Sequence, residues 1–270
     1  MRAALVLTVH SLRRVRTLVG VVSLVLATFQ VLTSLMATTF EESRAFDRIT
    51  ALVPDFLRQM MGSSLVGMLS FTGVVCLGYF HFAVVGVLVG LAIALATEPT
   101  SEVDGGFADL ILARPVARYA VITRSVILVV SCSAFALGMM AGGTWIGLVS
   151  LAPRNAAWPA PGLIVSLAAS LGTLMLCWGG IALALGAAAS RRSTAAALAG
   201  IAALGLYLFD VIARVWRPAA PFARLSPFHY YNPIDLVLGR ALVPSHLWVL
   251  AGVGAAGAVL AYVVYSRRDL

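Results

Sequence analysis

Long apolar runs separated by short charged stretches set the pattern of this chain. We predict that six of the runs cross a lipid bilayer as helices, because about 20 apolar residues span roughly 30 Å of hydrocarbon. The predicted spans are residues 18–36, 76–96, 125–148, 163–188, 194–209 and 247–265. The pattern therefore predicts an all-α polytopic membrane protein, in which residues 1–270 form a single transmembrane domain.

The segments beside these spans contain further predicted elements. Residues 1–16 share an apolar helical face and end in an arginine cluster, which predicts an amphipathic helix on the membrane surface; an inward extension of the first span explains the same residues. Residues 41–60 are predicted to form an amphipathic helix on the outer surface, broken near Pro54, and residues 63–75 an interfacial or re-entrant piece. Residues 213–246 are rich in proline and aromatic residues, which is typical of an interface, and include a predicted helix over residues 234–242.

Composition agrees with this class. Hydrophobic residues make up 61% of the chain and charged residues 11%, against about 25% charged residues in soluble domains. The net charge of +8 comes from arginines that flank the apolar runs, so it indicates membrane topology rather than binding to nucleic acid. The same arginines predict that both termini lie in the cytoplasm.

Several kinds of catalytic chemistry are excluded because the chain contains no lysine. The phosphate-binding P-loop needs a lysine, and so does Schiff-base catalysis. The sequence also lacks the H-E-x-x-H and G-x-S-x-G motifs, and no catalytic residue or metal site is predicted. The cysteines at 76, 132 and 177 lie in apolar runs and are predicted to be buried and unpaired. Because the chain has no P-loop, the energy for any transport is expected to come from a partner.

Three ionisable residues are candidates for an intramembrane or outer polar site. His81 lies within the second predicted span, where an ionisable residue is a functional candidate, although a neutral histidine bonded to a neighbouring helix is the alternative. Asp210 is expected to pair with Arg214 one helical turn later; a place in a translocation path is the alternative. With His229, these residues would form the site of a membrane-embedded enzyme only if they converged on a cavity.

Small residues suggest where helices approach closely. Gly86 and Gly90 form a G-x-x-x-G pair in the second span. The outer half of the third span has a smooth surface formed by Gly138, Gly142, Gly143 and Gly147. Such positions let two helix backbones come close together. We predict that these glycines pack helices within the chain or between two copies.

The most distinctive charged stretch is the predicted inner loop that begins at Glu98. Asp104 is predicted to cap a short helix, whose apolar stripe comprises Phe107, Leu110 and Ile111 at i, i+3 and i+4. Pro115 ends that helix. A short helix with one apolar face on the inner side of a membrane protein is typical of a surface that docks another protein.

Three parts of the chain resemble a known family. The residues that carry the likeness in the loop are Glu98, Glu102, Gly105, Gly106, Leu110, Leu112, Pro115, Val116 and Arg118. The other parts are residues 225–233 (LSPFHYYNP) and the ending 265–270 (YSRRDL). In their order and spacing these segments resemble ABC-2 type permeases, the membrane subunits of ABC exporters. Gly106 and Ala117 stand where that family commonly has threonine and serine.

The resemblance implies half of an ATP-driven exporter in a bacterial cytoplasmic membrane, in contact with membrane lipid and paired with a second copy or a related permease. Two separate ATPase subunits would dock on the loop 98–118 and bind ATP and Mg²⁺, so no cofactor is expected in this chain. The spans carry few ionisable residues, which favours a hydrophobic or amphipathic cargo. A membrane-embedded enzyme and an anchor that recruits a soluble partner are the alternatives.

The resemblance also implies roles for individual loop residues. The ATPase-coupling set is Glu98, Glu102, Asp104, Gly105, Phe107, Leu110, Ile111, Pro115 and Arg118. Phe107, Leu110 and Ile111 would form the docking face. Glu98 and Glu102 would pair with basic groups of the ATPase, with a solvated inner face as the alternative, and Arg118 would contact lipid phosphates or the ATPase.

Overall fold

The computed structural model describes residues 2–46, 67–98, 119–189 and 191–267, and all regular structure within these ranges is helical. The α-helices are α1 (Arg2–Glu42), α2 (Phe71–Val75), α3 (Leu77–Phe80), α4 (Phe82–Ala96), α5 (Tyr119–Leu151), α6 (Pro161–Ala188), α7 (Arg192–Val215), α8 (Pro233–Val237) and α9 (Pro244–Arg267). Two 3₁₀ helices, Arg217–Leu225 and Pro227–Tyr230, lie between α7 and α8.

Five of the helices, α1, α5, α6, α7 and α9, are long and apolar enough to cross a membrane. Their outward faces carry large apolar side chains in the open, such as Val149 (71% exposed), Val165 (67%) and Ile201 (69%). Exposure of such a large apolar surface to water is unfavourable, whereas contact with lipid chains is not. The chain is therefore an all-α, multi-pass membrane protein.

Helix α6 lies at the centre of the bundle and packs against α9, α4, α5 and α7, while α1 runs along α5. The inward side of α6 is formed by fully buried large residues, among them Leu167, Leu171, Leu174 and Trp178. These residues recur at three- and four-residue intervals, so they share one face of the helix. Helix α7 is more peripheral, and its buried residues are Asp210 and a stripe of alanines that includes Ala195, Ala199 and Ala203.

Close helix contacts are made by Gly143, one of the predicted glycines, and by Gly254, which was not predicted. A Cβ on Gly254 of α9 would lie 2.7 Å from the carbonyl oxygen of Leu176 in α6, and one on Gly143 of α5 would lie 2.8 Å from Cα of Ala27 in α1. By contrast, Gly86, Gly90, Gly138 and Gly142 have nothing within 4 Å of a built Cβ among the described residues. Packing of these four against another chain stays a prediction.

The first predicted span is longer than expected. Helix α1 continues from Arg2 to Glu42, so the arginine cluster lies in the same helix as the span instead of in a separate surface helix. A helix of 41 residues is about 60 Å long at 1.5 Å per residue. The helix is therefore about twice as long as a hydrocarbon layer of roughly 30 Å is thick, and it projects well beyond that layer.

The second predicted span is not one continuous helix, so that detail of the prediction is wrong. The chain breaks at Cys76 and again at His81, whose ψ of 122° is extended. A broken helix is tolerated in a membrane when neighbours satisfy the freed backbone groups. Here Thr33 donates its hydroxyl to the carbonyl of Val75 at 3.4 Å, and the Tyr231 hydroxyl donates to the carbonyl of Tyr79. Helix α4 alone has 15 residues, or about 22 Å.

Two predicted elements lie outside the described residues. They are most of the outer amphipathic helix, from residue 47 onward, and the docking helix of the inner loop. The loop residues concerned are Glu102, Asp104, Gly105, Phe107, Leu110, Ile111, Pro115 and Arg118. Their proposed roles stay predictions.

Candidate functional site

The bundle has two polar ends. At one end, α4 finishes beside the arginines of α1, α5 and α7, and we call it the Glu98 end. At the other end, α7 finishes beside the segment 217–237, and we call it the Asp210 end. Glu98 and Tyr119, the described residues on either side of the predicted inner loop, both belong to the Glu98 end.

Glu98 forms a buried ion cluster. One carboxylate oxygen lies 3.2 Å from Nη2 of Arg124 in α5, and the other lies 3.3 Å from Nη1 of Arg14 in α1. The side chains of Glu98 and Arg124 are only 2% and 1% exposed, whereas that of Arg14 is 55% exposed. Breaking a buried pair leaves a charge in a medium of low polarity. The cluster therefore ties the end of α4 to α1 and α5.

This position differs from both sequence interpretations of Glu98, which assumed a side chain on the surface. The carboxylate is instead turned into the bundle and paired within its own chain. Nearby, Nη2 of Arg192 at the start of α7 donates to the carbonyl of Ala94 at 3.1 Å. Charged groups at the base of the loop thus join α1 to the adjacent ends of α4, α5 and α7.

At the Asp210 end, the aromatic segment 225–233 is folded into the bundle. Phe228 is 6% exposed and its ring lies 5.7 Å from that of Trp178 in α6 and 5.3 Å from that of Tyr207 in α7. Ser226 anchors the turn before it, since its hydroxyl donates to the carbonyl of Leu206 at 2.9 Å and accepts from the Phe228 amide. Part of the predicted outer segment therefore belongs to the core.

The same segment reaches a polar network inside the bundle. Nε2 of Gln30 in α1 donates to the hydroxyl of Thr144 in α5 at 2.8 Å, and the Tyr79 hydroxyl lies 3.3 Å from that same oxygen. Tyr231 then bonds the carbonyl of Tyr79. Burial, and to a smaller degree the neighbouring Tyr79, raises the pKa of Tyr231. The network connects α1, α3 and α5 to the folded-in segment.

A groove runs between α4 and α7. Its deeper part is an apolar cavity of about 310 Å³, lined by Phe82, Ala83, Val85, Gly86, Val89, Gly90, Ile93, Gly200, Ala203, Leu204, Tyr207 and Phe228. Gly86, Gly90 and Gly200 have nothing within 4 Å of a built Cβ in the described chain, which keeps the groove open. Two of the predicted packing glycines are therefore groove-lining residues.

A second cavity, of about 340 Å³, adjoins the first at the Asp210 end. It is lined by Phe80, Phe82, Val85, Tyr207, Asp210, Val211, Arg214, Phe228, Tyr231, Asn232, Pro233, Ile234 and Asp235. Four of these residues also line the apolar cavity, namely Phe82, Val85, Tyr207 and Phe228. The two cavities therefore form one groove with an apolar length and a charged mouth.

Asp210 is the most buried charged group of the mouth, at 3% exposed. It follows the alanine stripe of α7 on the same helical face. Its Oδ2 accepts from Arg214, 2.9 Å from Nε and 2.8 Å from Nη2, which confirms the predicted pair. Nη2 of Arg214 also lies 3.4 Å from the side-chain oxygen of Asn232. The pair closes the end of α7 and forms one wall of the cavity.

The three candidate ionisable residues converge only in part. His229 brings its Nδ1 to 3.7 Å from Oδ1 of Asp210, which is too long for a hydrogen bond. His81 stacks on Phe82 with ring centres 5.0 Å apart and is not among the residues that line the groove. Its buried Nδ1 has no hydrogen-bond partner among the described residues. The predicted bond from His81 to a neighbouring helix is therefore not formed by that nitrogen.

Sequence reasoning missed Tyr207, Asn232 and the alanine face of α7 as parts of this site. The sequence does contain a signal for this face. The alanines at 195, 199 and 203 lie four residues apart, and Asp210 follows seven residues later, so all four share one side of α7. No signal in the sequence places residues 225–233 beside α4. That contact depends on how the segment folds back.

The cysteines are free and buried, as predicted. Within the described ranges, no three histidine, cysteine or acidic side chains are grouped closely enough to hold a metal ion. Comparison with known proteins gave no further assignment: no family model matches the chain, and no curated protein matches it.

Proposed function

We propose that this chain is the membrane subunit of an ATP-driven exporter of amphipathic molecules, powered by separate ATPase subunits. The observation that carries the proposal is the buried cluster of Glu98, Arg124 and Arg14 at the base of the predicted docking loop. The first two residues lie on either side of the loop 99–118. A partner that moves the loop would therefore pull on α1, α4 and α5 together.

Movement of α4 would reach the groove directly. Helix α4 contributes the wall formed by Phe82, Val85 and Val89, and Glu98 lies just beyond the end of the same helix. In the proposed mechanism, closure of the ATPases shifts α4 against α7 and changes the width of the groove. A rigid helix such as α4 can transmit movement between two distant sites only if it has two arrangements.

The groove supports the cargo class. Apolar residues and glycines line its length, and charged residues line its mouth. A molecule with a hydrocarbon part and a polar head group has the same distribution of polarity. Exposed apolar residues beside the groove, such as Leu204 at 60%, would let such a molecule enter from the bilayer.

The proposed assembly has six passes, with α2, α3 and α4 together forming the second. Both termini then lie on the cytoplasmic side of a bacterial inner membrane, together with the loop. Two permease chains and two ATPase subunits complete the transporter. The chain needs no catalytic group of its own, since ATP and Mg²⁺ bind to the partner.

The docking face supplies the test. Leu110→Glu combined with Ile111→Glu should abolish co-purification of the ATPase and leave nucleotide hydrolysis uncoupled from transport. Leu112→Glu, on the opposite side of the predicted helix, adds the same kind of charge and should preserve both. Persistent binding and coupling in the double variant would disprove the docking assignment. An ATPase that binds without driving any transport would instead favour a membrane anchor.

A further inference from the structure

The mouth of the α4–α7 groove contains an unused acceptor. Both contacts from Arg214 go to Oδ2 of Asp210, and Oδ1 has no hydrogen-bond partner in the described part of the chain. Asp210 is 3% exposed, and Nδ1 of His229 stays 3.7 Å from Oδ1. A buried carboxylate oxygen without a donor is unfavourable. The site is therefore suited to a ligand that brings an N–H donor.

Arg214 supplies the complementary charge. Its side chain is 53% exposed, and the contacts to Asp210 and Asn232 use only Nε and Nη2. A guanidinium has five N–H donors, so it keeps donors for an anionic group. A cation-binding oxygen and an anion-binding guanidinium thus lie side by side at the end of an apolar groove.

From these positions we infer that the groove binds a zwitterionic amphiphile whose head group joins a primary ammonium to an anionic group, as in a phosphoethanolamine lipid. The ammonium donates to Oδ1 of Asp210, the anionic group contacts Arg214, and the hydrocarbon lies along Gly86, Gly90 and Gly200. A trimethylammonium head group has no N–H to donate and fits the same place less well. That this lipid is the transported cargo rests on the proposed function. The binding preference does not, because it is a property of this chain.

The experiment measures lipid binding to the full chain, purified with whatever subunits accompany it. Fluorescent lipids with identical short acyl chains and phosphoethanolamine, phosphocholine or phosphoglycerol head groups are compared. We expect the phosphoethanolamine lipid to bind about tenfold or more tightly than the phosphocholine lipid, the difference of one charge-assisted hydrogen bond. Equal binding of the first two would overturn the inference. The inference would also be overturned if free phosphoethanolamine bound as tightly as the phosphoethanolamine lipid, since the apolar groove would then contribute nothing to the affinity.

Two variants separate the head group from the hydrocarbon. Asp210→Asn should remove the preference for phosphoethanolamine, while Glu42→Gln, an exposed carboxylate at the same end of the bundle, should retain it. Gly86→Leu adds a side chain to the groove at a position where a Cβ meets no described atom within 4 Å, and it should weaken the binding of all three lipids by a similar factor. If Gly86→Leu dissociates a dimer and leaves lipid binding unchanged, the groove is a subunit contact and the inference is wrong.

A failure to fold does not make the inference untestable. If Asp210→Asn does not fold, competition by ethanolamine and by tetramethylammonium on the unaltered chain decides the point. Ethanolamine should compete and tetramethylammonium should not; equal competition contradicts the inference. Because binding is measured without ATP hydrolysis, its outcome is independent of ATPase docking. Lost docking with retained preference would reject only the exporter proposal.

Discussion

Glu98 and Arg124, which lie 26 positions apart, meet at 3.2 Å in a buried ion pair on either side of the inner loop. Glu98→Gln removes the carboxylate from a guanidinium that is 1% exposed. We expect a loss of stability of about 3–5 kcal/mol, as for other broken buried pairs. Thermal unfolding in detergent would measure it.

The controls for this pair are another arginine and a double variant. Arg14→Gln should cost less than Glu98→Gln, since the Arg14 side chain is 55% exposed and solvent screens its charge. Glu98→Leu combined with Arg124→Leu should recover most of the loss, because no charge is then buried. If the stability lost in the double variant equals the sum of the losses in Glu98→Leu and Arg124→Leu measured singly, the ion pair is not the cause.

The contact between α6 and α9 depends on Gly254. A Cβ there would lie 2.7 Å from the carbonyl oxygen of Leu176, and backbone cannot move aside cheaply. Gly254→Ala should destabilise the protein by about 1–3 kcal/mol, the usual cost of overpacking. Gly252→Ala, in the same helix with nothing within 4 Å among the described residues, should be neutral or slightly stabilising. Equal unfolding temperatures for the two variants would contradict this packing.

The polar network predicts an effect of Thr144→Val. The substitution keeps the shape but removes the oxygen that accepts from Gln30 at 2.8 Å. We expect a loss of about 0.6–2 kcal/mol, as for hydrogen bonds between membrane helices. Thr39→Val is the matched control, because the exposed Thr39 hydroxyl donates to Leu35 of its own helix. Unfolding in a denaturing detergent would compare them; an equal loss would exclude a special role for the network.

Phe228 should hold the segment 217–237 in the bundle. Phe228→Ala removes a ring that is 6% exposed and should open the segment, raising the rate of tryptic cleavage after Arg224 by about tenfold or more. Phe222→Ala changes an exposed ring in the same segment and should leave the rate unchanged. Cleavage after the buried Arg124 reports global unfolding, and a parallel rise there would argue against local opening.

The amino-acid sequence by itself determined the class of the protein and the positions of most of its membrane helices. Uncharged runs such as 163–188 admit only one low-energy structure in lipid, because every backbone amide must be bonded within the helix. The pairing of Asp210 with Arg214 followed in the same way from their spacing along one helix. These features depend on residues close together in the chain.

The tertiary structure decided everything that depends on distant residues. The breaks at Cys76 and His81 are tolerated because residues far away in sequence bond the freed carbonyls: Thr33 bonds that of Val75 and Tyr231 bonds that of Tyr79. The burial of Glu98 required α1 and α5 to bring two arginines to the same place. Local periodicity contains no term for such contacts. The groove exists only because α4, α7 and the folded-in segment pack around a common space.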